Sequence, residues 1–143
     1  MDPRVTASTA DLQKQFDLSQ QVYQDLLALQ SVIEKVAAAR AQLKTMREKA
    51  SGSSAAKIDE AGKELEALEG GGGRRRRRGP QPENLTGVRS SLLEMLGTLQ
   101  EVDASPTTQA AAIVPKLHES VATLLAQWQD AETKQLSPLK IQP

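Results

Sequence analysis

Residues 85–102 read LTGVRSSLLEMLGTLQEV, and within them Leu85, Val88, Leu92, Met95, Leu99 and Val102 step by three and four without a miss. That spacing is the apolar seam of an α-helix packed in the manner of a coiled coil, and Leu93 and Leu96 flank it. Asp103-Ala104-Ser105-Pro106 closes this helix and opens the next, since serine caps helices and proline is tolerated at the first helical position. A connection this short makes the two helices antiparallel neighbours.

Downstream, the pattern predicts a helix from Pro106 to about Gln135 that buries Ala110, Ile113 or Val114, Leu117, Val121, Leu124, Trp128 and Ala131. Pro115 lies inside it and predicts a kink or a delayed start, because proline removes one helical hydrogen bond and crowds the preceding turn. Ser137-Pro138 ends the element, leaving a tail held weakly, if at all, through Leu139 and Ile141.

Upstream, Ser8 to Lys49 carries the longest signal. Leu12, Phe16, Tyr23, Leu26, Ile33, Val36, Leu43 and Met46 recur at spacings of three, four or seven, and Leu18, Val22, Leu29 and Val32 widen the stripe. A helix this long spans about 60 Å and sets the length of the molecule. Ser8 can cap it, with Asp11 in the first turn. Ser51-Gly52-Ser53-Ser54 then predicts a tight reversal, with the glycine ending one helix and a serine capping the next. Ala55, Ile58, Ala61, Leu65 and Leu68 form a second, shorter stripe, weakened at Gly62 by about 1 kcal/mol relative to alanine. Residues 70–82, GGGGRRRRRGPQP, read as a flexible linker. The expectation is one all-α domain over 1–143, an antiparallel bundle of about four helices: a long first, a short second and two more.

Composition agrees. Phe16, Tyr23 and Trp128 are the only aromatic residues in 143, and Ala, Leu, Gln, Glu and Lys dominate. The absence of cysteine excludes disulfides, thiolate metal sites and thiol nucleophiles. The opening MDPRVTAST lacks the apolar run of a signal peptide, and nowhere do 18 apolar residues follow one another. Five of the 18 basic residues sit at Arg74, Arg75, Arg76, Arg77 and Arg78, so the rest of the chain holds five more acids than bases.

Residues with chemical potential are few. His118 is the single histidine, so no second imidazole and no thiol joins it at a metal, and a surface position beside the core stripe is expected. No serine is singled out as its nucleophile. The acids near lysines and arginines, such as Glu34, Glu48 and Glu60 beside Arg40, Lys44 and Lys63, read as solvated helix faces, and the Glu-x-x-His pairs of a di-iron bundle are missing. Gly70–Gly73 has neither a preceding strand nor a following Gly-Lys-Ser/Thr, so it is no phosphate loop. No catalytic residue, metal or cofactor is expected. Tyr23 and Trp128 fall in phase with the core.

Several segments resemble a known family. They are Met1-Asp2-Pro3-Arg4-Val5-Thr6, Ala10 to Leu18 (ADLQKQFDL), Leu92-Leu93 through Leu99-Gln100, Asp103 to Ala110 (DASPTTQA) and Leu124-Leu125-Ala126-Gln127-Trp128. Together they resemble the C-terminal helical region of large bacterial sortilin-like proteins with BNR-repeat β-propellers, often labelled glycosyl hydrolases. The resemblance covers both ends and skips the middle. It implies an exported parent whose propeller, absent from this chain, holds any substrate site. The matching residues pack and cap helices, so no hydrolytic role comes with them.

The functional expectation is therefore a non-catalytic interaction module or accessory subunit that docks onto a larger, exported protein assembly. The long first helix should overhang the short second one, which nominates Leu29, Ile33, Val36 and Met46 as partner-facing. The alternative is a polyanion-binding adaptor that uses Arg74–Arg78 to hold nucleic acid or anionic lipid. Nucleic acid is disfavoured because no aromatic residue interleaves the arginines and the remaining surface is acidic.

Overall fold

The structure, a computed structural model, describes residues 7–70, 83–101 and 105–141. They form four α-helices and no strand: α1 (Thr9–Lys49), α2 (Gly52–Glu69), α3 (Leu85–Gln100) and α4 (Thr108–Ala131). The all-α bundle of about four helices is as the periodicity predicts. None of the described helices is long and apolar enough to cross a membrane.

The four helices occupy three lanes. α2 runs antiparallel to the C-terminal half of α1, tied to it by an ion pair of Arg47 Nε with Asp59 Oδ1 at 2.8 Å and by a second between Arg40 and Glu69. α3 begins where α2 stops, with Thr86 Oγ1 donating to the Glu69 carbonyl at 2.7 Å. It continues in the same direction along the N-terminal half of α1: Arg89 Nε donates to Gln30 Oε1 at 3.3 Å, and Gln15 donates to the Leu99 carbonyl. α4 returns parallel to α1, since Ser105 meets Asp11 and His118 meets Asp25 at nearly constant sequence offset. The long helix is thus covered by two short ones placed end to end, which leaves no overhang.

Residues 71–82, the expected linker, lie outside the described residues, but the two points where they join the fold are held together. Gly70 ends α2 in the left-handed conformation at φ 101°, and a Cβ placed on it would lie 2.5 Å from the side-chain oxygen of Asn84. That oxygen caps α3 by accepting from the Gly87 amide at 2.8 Å. Gly70→Ala would strain the backbone and displace the cap, costing roughly 1–3 kcal/mol. Gly62 is the opposite case, because a Cβ there meets nothing within 4 Å. Gly62→Ala should stabilise α2 by about 1 kcal/mol through helix propensity. Urea unfolding of the two variants should move the midpoint in opposite directions.

The core follows a strict seam on α1, where Val22, Asp25, Leu29, Val32, Val36, Ala39 and Leu43 are buried at alternating steps of three and four. Two residues expected in this core are outside it: Phe16 and Tyr23 are 60% and 54% exposed. The buried seam is rotated by about one residue from the predicted stripe, so Leu26, Ile33 and Met46 become its half-buried rim. On α2, all five expected positions (Ala55, Ile58, Ala61, Leu65 and Leu68) are buried. On α3, Leu85, Val88, Leu92 and Leu99 are buried and Met95 is half-buried, while Val102 lies outside the described residues.

Helix ends differ from expectation in three places. The Ser8–Asp11 capping box forms as read, and the hydrogen bonds from Ser8 hold the Asp11 carboxyl below its ordinary value of 3.8. Gly52, however, opens α2 at φ 63° instead of closing α1, whose last residue is followed by Ala50 in extended conformation. α4 starts at Thr108, capped by the Thr107 hydroxyl accepting from the Ala110 amide, two residues beyond the predicted Pro106. Pro115 neither delays nor ends α4. It is exposed, and the buried Ala110, Val114, Val121 and Leu124 on both sides of it hold one continuous face against the core. The tail is docked firmly: after a π turn (Glu132–Leu136) and a 3-10 turn (Ser137–Leu139), Leu136 and Ile141 are buried and the Ile141 amide donates to the Leu136 carbonyl at 3.1 Å.

Candidate functional site

Two features of the bundle exceed what packing requires. The first is Asp25, a carboxylate at a seam position and only 6% exposed. Its Oδ1 lies 2.8 Å from His118 Nδ1, across the contact between α1 and α4, while its Oδ2 is buried without a hydrogen-bond partner. A carboxylate only accepts, so the imidazole donates from Nδ1 and leaves Nε2 on a ring whose side chain is 56% exposed. The pair lies beside a polar cleft of about 440 Å³ lined by Asp17, Gln20, Gln21 and Gln24.

An oriented imidazole of this kind can accept a proton or ligate a metal at Nε2. Among the described residues no hydroxyl lines the cleft, and no group of three or more His, Cys, Asp or Glu converges on a metal-sized position. What the arrangement does achieve is orientation. A buried charge tolerates one docking angle of α4 on α1, the one that keeps its partner in reach. Sequence reading placed His118 correctly at the surface but missed its partner. The signal was available, since Asp25 stands three residues after Val22 and four before Leu29, in core register.

The second feature is a large apolar outer face. Phe16, Tyr23 and Leu27 are exposed along one side of α1, and Leu93 is 45% exposed on α3. The Arg89–Gln30 hydrogen bond sets these surfaces side by side. Because the helices are antiparallel, Leu93, one turn beyond Arg89, lies alongside the segment that holds Tyr23 and Leu27. Leu26 and Leu96 are half-buried between them and rest on the core. From Leu18 to Ile33 the only charged residue is Asp25, and it is buried. Exposed helix surface ordinarily carries charge, as α1 itself does from Glu34 to Lys49.

The expected partner-facing residues are placed differently. Leu29 and Val36 are 0% and 1% exposed, packed under their own neighbours, and Ile33 and Met46 are half-buried against the same core. Leu29 and Val36 are core residues, and Ile33 and Met46 its rim, because α2 and α3 together run along the length of α1 on that side. Arg74 to Arg78 lie outside the described residues. The apolar surface that remains open is on the opposite side of α1, and sequence reading assigned its Phe16 and Tyr23 to the interior. The absence of charge from Leu18 to Ile33 was the legible clue. In comparisons with known proteins, no family model, no curated protein and no solved structure matches this chain.

Proposed function

We propose that this chain is a non-catalytic helical interaction module, an accessory subunit that joins a larger protein assembly through the outer face of α1 and α3. The observation that carries this reading is the adjacency of Phe16, Tyr23, Leu27 and Leu93, all exposed, on a face whose α1 side has no exposed charge from Leu18 to Ile33 and whose α3 side carries Arg89. Four large side chains about half exposed present roughly 400 Å² of apolar surface, within the size range of patches that are often functional. The exported setting of the assembly rests on the resemblance of the chain ends to sortilin-like proteins.

The test is purification of the untagged chain from its native source, as wild type and as Tyr23→Glu/Leu27→Glu. The expected result is a large species for the wild type and a small, fully helical one for the variant. A variant that still elutes with the full assembly would refute the reading. Arg74–Arg78 support the alternative of a polyanion-binding adaptor, which predicts loss of binding to anionic vesicles and RNA when all five are changed to serine.

A further inference from the structure

The α1 side of this face also constrains what can cover it, and we infer that its occupant is a second copy of this chain, packed two-fold with α1 against α1. This rests on the reading of the α1/α3 face as a contact surface and goes further by naming the partner. A two-fold interface sets a surface against itself, so every charge near the axis meets its own sign. On α1, where the axis would run, there is no exposed charge from Leu18 to Ile33 to repel, and Arg89 of α3 stands at the edge of the face, bonded to Gln30.

The polar residues of this stretch are Ser19, Gln30 and Ser31, with Gln20, Gln21 and Gln24 turned to the cleft beside Asp25. Carboxamides and hydroxyls are donors and acceptors at once, so each can bond to a copy of itself, which ammonium and carboxylate groups cannot do. The area fits as well. A stable interface buries about 800 Å² per partner, a little over half of it apolar, and the exposed face supplies roughly 400 Å² of apolar side chain. Other occupants find a poor complement: a polyanion or an acidic peptide meets no cation on α1 between Leu18 and Ile33 and, on the α3 side, Arg89 already bonded to Gln30, and a lipid surface calls for several basic residues flanking the apolar stripe.

Sedimentation velocity of the full chain from about 1 to 500 μM, a span that brackets ordinary dimer affinities, should show a concentration-dependent dimer. Tyr23→Glu/Leu27→Glu should weaken it at least ~30-fold with the helical circular dichroism unchanged. Because the chain has no cysteine, Tyr23→Cys offers a second measurement that does not depend on the doubly charged variant folding. Oxidation should link Tyr23→Cys into a covalent dimer and leave Glu48→Cys monomeric. A wild type that stays monomeric throughout, or a dimer that both tests leave unchanged, overturns the second-copy proposal. If that monomer still loses its native assembly on Tyr23→Glu/Leu27→Glu, the contact surface stands and the partner is another protein; if the assembly is unaffected, both readings fail.

Discussion

Val36→Asp is expected to abolish folding, whereas Phe16→Asp, on the same helix, leaves the dilute monomer folded. Both residues belong to the stripe that spacing alone draws along α1, yet Val36 is 1% exposed and Phe16 is 60% exposed. A carboxylate at Val36 would be buried between helices with no cation among the described core residues to meet it, and it would also forfeit the packing of the valine. An uncompensated buried charge costs about 3–5 kcal/mol, which is comparable with the whole stability of a small domain. At Phe16 the new charge enters water, and the change in stability stays within about 0.5 kcal/mol. Thermal unfolding followed by circular dichroism decides this. Equal loss of helix in the two variants would mean that the seam has the phase of the predicted stripe and that this packing is wrong.

Asp25 and His118 give the second large effect, and it has two signs. His118→Ala should destabilise by about 1–3 kcal/mol, because it leaves a buried carboxylate with neither oxygen paired; the exposure of the imidazole keeps the loss to the level of one charge-assisted hydrogen bond. Asp25→Leu should instead stabilise by about 1–4 kcal/mol, since an apolar side chain at a seam position replaces a desolvated charge. Leucine branches at Cγ as aspartate does, and the neighbouring cleft, about 440 Å³, gives its bulkier methyl groups room to settle. In the Asp25→Leu background, His118→Ala should then cost almost nothing, and this non-additivity is the mark of a direct pair. Urea unfolding of the two single variants and the double variant completes the cycle. If the two substitutions were additive, Asp25 would not depend on His118.

The predicted gain in Asp25→Leu raises the question of why a costly charge sits in the core. It fits the tolerance of the other contacts. Small and medium aliphatic residues such as Val22, Val32, Ala39, Ala110 and Val121 make up much of the seam between the helices, and such surfaces can slide past one another by a turn at modest cost. A buried polar pair loses its partner on any such slip. That is the best attested use of buried polar groups in helical bundles.

Much of the bundle was legible in the chain itself. The helices, their order, the Ser8–Asp11 cap, the buried faces of α2 and α3 and the burial of Trp128 follow from periods of three and four and from capping chemistry, which act within a few residues. Local signals also located every break between helices to within a few residues. They failed where two local rules competed. Gly52 could end one helix or begin another, and Pro115 could break a helix or be carried through by the apolar face around it.

Tertiary structure alone decided the phase of α1 and the surface left open. Apolar residues cover more than half of that helix's circumference from Leu12 to Val36, so periodicity has no unique centre and several rotations satisfy it equally. The choice falls to the neighbours. α2 and α3, placed end to end in one lane, and α4 in the other bury the sector centred on Val22, Leu29 and Val36, and so turn Phe16, Tyr23 and Leu27 outward. The same packing brings Asp25 to His118, 93 residues apart in sequence. A pairing at that distance depends on how three helices share one interior, and no window of local sequence contains that information.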